Sequence, residues 1–281
     1  ADNKVMDANF DPLALKPEER KAFKYEGPEI IYVFWSKHGP CQVTGCGHRT
    51  PVMSSPVLAV KELSIKAWSH KCPKCKTSFD IEESEVRMAP DVTLVVADGE
   101  TPFAPINTKT GAVICPSCGE KELVNVGSRK GHKKKVSLSL LVHPQWLQGD
   151  KSKDKKGQPY GGSATDDAES SSRWYDARAE KLRLLEVRGK LPNEVTCPDT
   201  GVTFSTSISN IPKKAAYACG SCGTVQDILT TVKASGKTGP VAPYAIQAYS
   251  PKRDRDGVAY GGRYFLPFDD ASSLDAAHRE W

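Results

Sequence analysis

The sequence predicts an α+β fold that is rich in β-strands and organised around closely spaced pairs of cysteines. Three observations lead to this prediction. Runs of β-branched and aromatic residues alternate with turn residues along much of the chain. Six of the nine cysteines lie in three close pairs before residue 120. The later part of the chain also repeats motifs of the earlier part, which indicates a duplicated structural unit.

The bulk composition is that of a folded chain with one large domain or two modest ones. The 281 residues are 38% hydrophobic and 26% charged, and the net charge is +5. No apolar run approaches the roughly 20 residues that a membrane span needs, and the first residues do not resemble a signal peptide. We therefore expect no membrane partner and a cytoplasmic location, where thiols stay reduced and are available to metals. Because the chain starts at Ala1 without a methionine, we also expect it to be an excised module.

The first segments read as one short helix followed by β-structure. Residues 1–27 form an N-terminal segment whose helix candidate, KPEERKAFKY, has a proline suited to a first helical turn. Residues 28–39 predict a strand and residues 57–72 predict a pair of strands. Residues 91–106 predict a further β segment with a turn at its DGE sequence.

The internal repeat places two related units in the second part of the chain, at residues 111–190 and 191–281. Each unit is predicted to contain a turn with two closely spaced cysteines, here called a knuckle, then a β segment, a Tyr-Gly-Gly turn and a helix. In the second unit Thr200 stands where the first knuckle motif has Cys75. The aligned pairs are KDKKGQPYGG (153–162) with RDRDGVAYGG (253–262), ICPSCGE (114–120) with ACGSCGT (218–224), and CPKCKTSF (72–79) with CPDTGVTF (197–204).

Residues 166–189 are predicted to form the clearest helix of the chain. The segment begins with acidic N-cap candidates, places Leu182 and Leu185 near one face with a tryptophan, and ends at Gly189. The corresponding helix of the second unit would begin near Asp270 and be cut short at the chain end, so the second unit is expected to be truncated.

The cysteine spacing predicts metal sites, because zinc prefers four tetrahedral ligands and paired thiolate turns supply them without strain. Cys41 and Cys46 share a glycine-containing turn, and a 25-residue spacer separates them from Cys72 and Cys75. This spacing is typical of a zinc ribbon, which we predict for residues 28–110 with the spacer folded as a hairpin.

An alternative for the first site is a local set made of His38, Cys41, Cys46 and His48, which would leave the next cysteine pair without a partner.

A second site is predicted from Cys115 and Cys118 together with Cys219 and Cys222, since the repeat would place these knuckles symmetrically. The competing arrangement pairs Cys115 and Cys118 with the preceding knuckle. Cys197 is left over, as a small buried residue or as a further ligand. The predicted metal ligands, for two zinc ions, are therefore Cys41, Cys46, Cys72, Cys75, Cys115, Cys118, Cys219 and Cys222.

Both predicted sites are filled by protein ligands, whereas a catalytic zinc keeps an open position, so a structural role is expected. The chain also lacks a glycine-rich nucleotide loop, a G-x-S-x-G elbow, an H-E-x-x-H helix and a P-loop. The sequence therefore predicts no catalytic and no cofactor-binding residue.

A basic stretch, SRKGHKKK (128–135), is a candidate for phosphate contact. A second stretch, KSKDKK (151–156), adds four lysines. Binding through such residues would weaken steeply with salt, although a charge run is also typical of a solvated loop. The aromatic run IYVFW (31–35) is read as ribbon core, with stacking on bases as the alternative. The candidate nucleic-acid residues are Arg129, Lys130, Lys133, Lys134 and Lys135.

The motifs FWSKHGPCQVTGCGHRTPVMSSPVLAVK, FDIEESEVRMAPDVTL and YGGRYF together resemble a known family. The sequence is similar, over most of residues 28–281, to the zinc-ribbon region of large bacterial and archaeal adenine-specific DNA methylases, those with an N-terminal domain of unknown function. In that family the ribbon accompanies a methyltransferase domain that uses S-adenosylmethionine, often in restriction-modification or phage defence.

The resemblance implies a non-catalytic zinc-binding module, engaged in DNA target recognition or scaffolding, with duplex DNA and the methyltransferase domain as partners. The family's Asp-Pro-Pro-Tyr signature is absent from this chain, so its catalytic and S-adenosylmethionine-binding residues have no counterpart here. Two alternatives stay open: a free-standing zinc ribbon that binds nucleic acid or protein, and a thiol redox protein.

Overall fold

The computed structural model describes residues 16–20, 29–107, 109–147, 181–234, 241–256 and 260–268. Several predicted features lie outside these residues: the first Tyr-Gly-Gly turn with the lysines of 151–156, residues 166–180 of the long predicted helix, and the helix expected from Asp270.

The described part is rich in β-structure, as predicted, and its few helices are short. The strands are β1 (Glu29–Lys37), β2 (Val57–Lys71), β3 (Ser78–Glu82), β4 (Thr93–Val96), β5 (Phe103–Pro105), β6 (Ala112–Ile114), β7 (Lys121–Leu123), β8 (His132–Val142), β9 (Leu184–Arg188), β10 (Glu194–Thr196), β11 (Thr203–Ser205), β12 (Ala216–Ala218), β13 (Val225–Asp227), β14 (Val241–Tyr249) and β15 (Arg263–Pro267). The helices are α1 (Pro17–Arg20), α2 (Ile228–Ala234), α3 (Pro251–Arg255) and a 3-10 helix at Pro144–Leu147. Among the described helices, none has the length and apolar character needed to cross a bilayer.

Two sheets form the frame of the molecule. The larger has six strands in the order β4-β9-β8-β2-β3-β5, and the smaller has the order β1-β14-β15. They pack face to face, because Ile65, Leu138 and Leu140 of the larger sheet share one buried cluster with Ile246 and Phe265 of the smaller sheet. The strand predicted at residues 28–39 is thus confirmed as β1.

Three hairpins project from this frame: β6-β7, β10-β11 and β12-β13. The β6-β7 hairpin packs against the β2-β3 end of the larger sheet, where Trp68 and Ile81 contact Val113 and Val124 in a second buried cluster. The β10-β11 hairpin packs against β8 and β9 in a third. The turns at Cys72, Cys115 and Cys197 are therefore fixed by apolar packing beneath them.

The prediction of two strands at residues 57–72 is wrong, because β2 is one uninterrupted strand of 15 residues. At ~3.3 Å per residue its ends lie about 46 Å apart. The segment 91–106 does form two strands, but β4 and β5 lie at opposite edges of the six-stranded sheet.

The helix predicted for residues 166–189 is wrong over its last part, where β9 occupies Leu184–Arg188. Every residue of β9 is buried, since the strand lies between β4 and β8 with both faces covered. Its charged members are partnered: Glu186 accepts hydrogen bonds from the backbone N–H groups of Met88 and Ala89 at 3.1 and 2.7 Å. A strand buried on both faces loses its alternating pattern, so its leucines were mistaken for a helical stripe.

Two candidate metal centres

The structure gathers eight of the nine cysteines into two clusters of four, each of which could hold a metal ion. Within each cluster the four sulfurs lie within 4.8 Å of one another. Centre 1 consists of Cys41, Cys46, Cys219 and Cys222, and centre 2 consists of Cys72, Cys75, Cys115 and Cys118.

The sulfur separations fit tetrahedral coordination. In centre 1, Cys41 Sγ lies 3.7 Å from Cys222 Sγ, and Cys46 Sγ lies 3.9 Å from Cys219 Sγ. A tetrahedral zinc ion with Zn–S bonds of ~2.3 Å separates its sulfurs by about 3.8 Å. A disulfide would bring two sulfurs to ~2.05 Å, and all nine cysteines are free thiols. In centre 2 the pairs Cys72–Cys118 and Cys75–Cys115 are 3.7 and 3.6 Å apart.

Four turns share one backbone geometry, and in three of them this geometry directs two cysteine sulfurs toward one centre. In each, the N–H of the first cysteine donates to the carbonyl of the residue five positions later. The N–H of the residue four positions later donates to the carbonyl of that cysteine. The residue four positions later has a positive φ, which glycine adopts without steric cost. The turns begin at Cys72, Cys115, Cys197 and Cys219, and their positive-φ residues are Lys76 (63°), Gly119 (72°), Gly201 (68°) and Gly223 (73°).

The turn at Cys41 is built differently. Its N–H donates to the carbonyl of His48 at 2.9 Å, and the N–H of Cys46 donates to that of Val43 at 3.0 Å. His38 and His48 are buried, but neither belongs to the cluster, so the local His-Cys-Cys-His alternative is wrong.

The predicted pairing of the cysteines is also wrong. The sequence placed Cys41 and Cys46 with Cys72 and Cys75, but continuous β2 carries Cys72 to the far end of the larger sheet. There it meets the β6-β7 hairpin, which is the competing arrangement considered above. The first pair is not orphaned, because the turn of the β12-β13 hairpin closes centre 1. The predicted grouping of Cys115 and Cys118 with Cys219 and Cys222 is therefore wrong as well.

Asn210 helps to bring the distant halves of centre 1 together, and nothing in the sequence pattern singled it out. Its side-chain oxygen accepts from the N–H of Met53 at 2.9 Å, and its carbonyl accepts from the N–H of Ala218 at 2.7 Å. Because Asn210 is buried, these bonds are shielded from water. The two hydrogen bonds connect Met53, in the segment that follows the Cys41 turn, to strand β12.

Polar groups around centre 1 are aimed at its sulfurs. The side-chain amide of Gln226 donates to Cys41 Sγ at 3.0 Å, and its own oxygen accepts from the N–H of Gln42 at 2.7 Å. The hydroxyl of Thr50 lies 3.9 Å from Cys219 Sγ. Such second-layer donors orient ligands and stabilise thiolate charge.

Electrostatics distinguish one thiol in each centre. Hydrogen bonds from Thr77, first through its hydroxyl and then through its N–H, lower the pKa of Cys75 to about 6. Burial acts to raise the pKa of Cys222, but the hydroxyl and N–H of Thr224 outweigh it and lower that pKa to about 6. Burial instead raises the pKa of Cys41. Each centre thus has one thiol whose pKa is lowered by hydrogen bonds from a neighbouring threonine.

Cys197 belongs to neither centre. It is fully buried among Leu141, Leu185 and Phe204. At the position of the missing second thiol, Thr200 Oγ1 lies 3.2 Å from His143 Nε2. In the Cys197 turn, a contact between a hydroxyl and an imidazole above an apolar cluster therefore replaces a metal site, in agreement with the interpretation of Cys197 as a small buried residue.

The five basic candidates do not lie in one loop, because β8 begins at His132 and includes Lys133, Lys134 and Lys135. Neighbouring residues of a strand point to opposite faces. Lys134 Nζ is turned inward, 2.9 Å from Asp80 Oδ2 and 3.3 Å from Glu82 Oε1.

The other basic candidates are exposed at the surface. Lys135 pairs with Glu62 at 2.9 Å across two exposed side chains. Arg129 contacts the His70 ring through a nitrogen 3.3 Å from Nδ1. In the described part of the chain, Lys130 and Lys133 are exposed without an ion-pair partner.

The aromatic run at residues 31–35 is divided between core and surface. Val33 and Phe34 pack against the main buried cluster, as the core reading predicted, whereas Tyr32 and Trp35 are 63% and 54% exposed.

Comparison with protein-family models, curated proteins and solved structures finds no match for this chain.

Proposed function

We propose that this chain is a non-catalytic, zinc-stabilised module of an S-adenosylmethionine-dependent DNA adenine methyltransferase, in which it contacts duplex DNA. The observation that carries the zinc assignment is the pair of closed four-cysteine centres with tetrahedral sulfur spacing. Four-thiolate sites favour zinc, with iron as the competing ion. Because every ligand position is supplied by protein, neither centre leaves a site for substrate, and the ions act as structural links.

The link to DNA rests on the charge distribution. Lys133 extends from the larger sheet beside Lys66, its cross-strand partner, and the loop before β8 adds Arg129 and Lys130. We call these four residues the basic ridge. Like charges directly opposite one another destabilise a sheet, so an arrangement of this kind is best satisfied by an anionic partner such as DNA phosphate.

Metal analysis and DNA binding test the proposal separately. The purified chain should contain two zinc ions, lose them to a strong chelator and lose ordered structure with them. A colourless protein with zinc supports the assignment, whereas a red, iron-containing protein or a metal-free protein with stable tertiary structure contradicts it.

Binding to a duplex of arbitrary sequence should weaken linearly with log salt, at a slope of about −0.9 for each phosphate contacted. Lys133→Ala should reduce that slope by about one, whereas Lys214→Ala, at an exposed lysine in the turn before β12, should leave it unchanged. Binding that is absent, or equally strong at all salt concentrations, overturns the DNA role. The methyltransferase link requires an Asp-Pro-Pro-Tyr motif in the reading frame that encodes this chain, and its absence there removes that link.

A further inference from the structure

The two centres differ in how far solvent reaches their thiols. In centre 2 the second cysteine of each turn is exposed, namely Cys75 and Cys118. In centre 1, Cys222 is exposed, whereas Cys46 is partly buried. The reaction of a thiolate with a dissolved oxidant follows its exposure. Centre 2 therefore offers an oxidant one accessible sulfur on each of its two turns, whereas centre 1 offers one in all.

The polar links around the two centres differ in the same direction. The distant halves of centre 1 are joined by the buried hydrogen bonds of Asn210, and Gln226 donates to Cys41 Sγ at 3.0 Å. The two turns of centre 2 are joined by an ion pair of Lys74 with Glu120 at 2.7 Å, in which both side chains are exposed. An exposed ion pair contributes little to stability. Beyond its apolar packing, centre 2 therefore depends more on its metal than centre 1 does.

Two-electron oxidation of centre 2 is chemically balanced with a hydroperoxide as the oxidant. The Cys75 thiolate attacks one peroxide oxygen, the O–O bond breaks, and the sulfur becomes a sulfenic acid as hydroxide leaves. A second thiolate of the centre then attacks that sulfur, which forms a disulfide and expels a second hydroxide. Cys115 is within reach for this step, since its sulfur lies 3.6 Å from Cys75 Sγ.

With hydrogen peroxide, two thiolates, one peroxide and two protons from solvent give one disulfide and two water molecules. The sulfurs lose the two electrons that the peroxide gains, and the zinc ion keeps its charge. Because zinc in a structural site needs four ligands and two thiolates are then left, the ion departs into solvent.

A row of hydrogen bonds connects the hairpin of centre 2 to the basic ridge. Glu122 of β7 lies 3.0 Å from His70 Nε2, and His70 Nδ1 lies 3.3 Å from a guanidinium nitrogen of Arg129. The Trp68 ring N–H also donates to the carbonyl of Arg129 at 3.3 Å. A two-stranded hairpin is at best marginally stable on its own. Loss of the metal should therefore loosen β7, and with it Arg129 and the adjacent Lys130.

We propose that centre 2 is a redox-sensitive switch. Oxidation by a hydroperoxide forms a disulfide through Cys75, releases one zinc ion and weakens the contact of the basic ridge with DNA, while centre 1 keeps its ion. The weakened contact rests on the proposed function, whereas the disulfide and the zinc release do not. A dithiol reductant together with zinc reverses the change, because thiol–disulfide exchange restores the four thiolates.

The test treats the full, zinc-loaded chain with hydrogen peroxide and follows three quantities. A chromogenic chelator measures released zinc, peptide mass spectrometry locates disulfides, and duplex binding is titrated against salt. One of the two ions should be released in a first phase, together with a disulfide between cysteines of centre 2. The salt slope should then be smaller by about two, for the phosphate contacts of Arg129 and Lys130. Dithiothreitol with zinc should restore it.

Arg129→Ala separates the coupling from the chemistry. Its zinc release and disulfide should match those of the unsubstituted chain, because Arg129 is exposed and is not a ligand. Its salt slope should already be smaller by about one before oxidation, and the further decrease on oxidation should be smaller by the same amount. Lys214→Ala is the matched control at an exposed lysine and should retain the full response to peroxide.

The outcomes separate this inference from the proposed function. Zinc release from centre 1 before or together with centre 2, or zinc release without a disulfide in centre 2, overturns the switch. Release from centre 2 with an unchanged salt slope overturns its coupling to the basic ridge. Failure of the reduced chain to bind duplex DNA overturns the proposed function, while the zinc and disulfide measurements still decide the redox step.

Discussion

Two neighbouring lysines of β8 should respond to mutation in opposite ways. Lys133 is exposed on the basic ridge, whereas the Lys134 side chain is 13% exposed and forms ion pairs with Asp80 and Glu82. Lys133→Ala should weaken duplex binding at low salt without changing the free energy of unfolding by more than about 0.5 kcal/mol. Lys134→Ala should lower the free energy of unfolding and leave DNA affinity unchanged.

The expected loss in unfolding free energy for Lys134→Ala depends on the ion-pair partners that Asp80 and Glu82 keep. Glu82 is 1% exposed but keeps Arg188, its other ion-pair partner, so it is not left uncompensated. Asp80 has no other described ion pair and retains 11% exposure of its side chain. Breaking a fully buried pair costs ~3–5 kcal/mol. The cost here should be nearer the ~1.5–3 kcal/mol of one charge-assisted hydrogen bond.

The assay is urea unfolding of the zinc-loaded chain, followed by fluorescence, together with salt-dependent binding to a paired duplex. Lys135→Ala is a suitable reference, because its exposed pair with Glu62 should contribute at most about 1 kcal/mol. The reasoning fails if Lys134→Ala weakens DNA binding as Lys133→Ala does while the unfolding midpoint stays in place.

Three further results are expected. Arg188→Met should cost ~1.5–3 kcal/mol in urea unfolding, because Glu82 loses one charge-assisted hydrogen bond and keeps Lys134. Glu82→Gln in that background should recover part of the loss, and a cost below about 1 kcal/mol would contradict the buried network. Zinc binding should release more protons below pH 6 than at pH 7, by up to about one per ion, because Cys75 and Cys222, with pKa values of about 6, are thiolates above that pH and take up protons below it. Calorimetry in buffers of different ionisation enthalpy measures this, and a pH-independent release would refute it. Gly189→Ala should lower the free energy of unfolding by at least about 1–2 kcal/mol. Gly189 has a φ of 103°, and an added Cβ would lie 2.6 Å from Glu100 Cγ. An unchanged midpoint of urea unfolding would show that this turn relaxes freely.

The eight metal-ligand cysteines could be predicted from the sequence, because a cysteine turn is recognised from a few neighbouring residues. A Cys-x-x-Cys turn needs only six residues and a positive φ after its second ligand, and a glycine at that position is visible in the sequence. Thr200 was likewise visible as the substituted ligand. The contact that it makes instead, with His143, depends on how β8 and β10 pack and could not be read from spacing.

The partners of each turn could not be predicted, because they depend on strand continuity over distances that local patterns do not encode. The segment ending at Lys71 has mixed apolar and charged residues that fit two short strands or one long strand. Only its pairing with β8 along most of its length decides between them. Once β2 is continuous, it carries Cys72 about 46 Å along the sheet from Val57, where the β6-β7 hairpin completes centre 2.

The same limit applies to Leu184–Arg188 and to Lys134. A strand buried on both faces shows no alternation, so its apolar residues fit a helical stripe as well as a strand. Lys134 was grouped with its neighbours as one basic loop, although a strand separates alternate residues onto opposite faces. The repeat stays a prediction, since its first Tyr-Gly-Gly turn, residues 166–180 and the helix expected from Asp270 lie outside the described residues.

The grouping of the thiols is tested most directly by coupling zinc removal to alkylation in the unmodified protein. A limiting amount of chelator is added with N-ethylmaleimide, and peptide mass spectrometry identifies which cysteines become modified together in partly demetallated molecules. The structure predicts two sets that are modified as units, Cys41 with Cys46, Cys219 and Cys222, and Cys72 with Cys75, Cys115 and Cys118. Joint modification of Cys41 and Cys46 with Cys72 and Cys75, while the other four stay protected, would contradict the account.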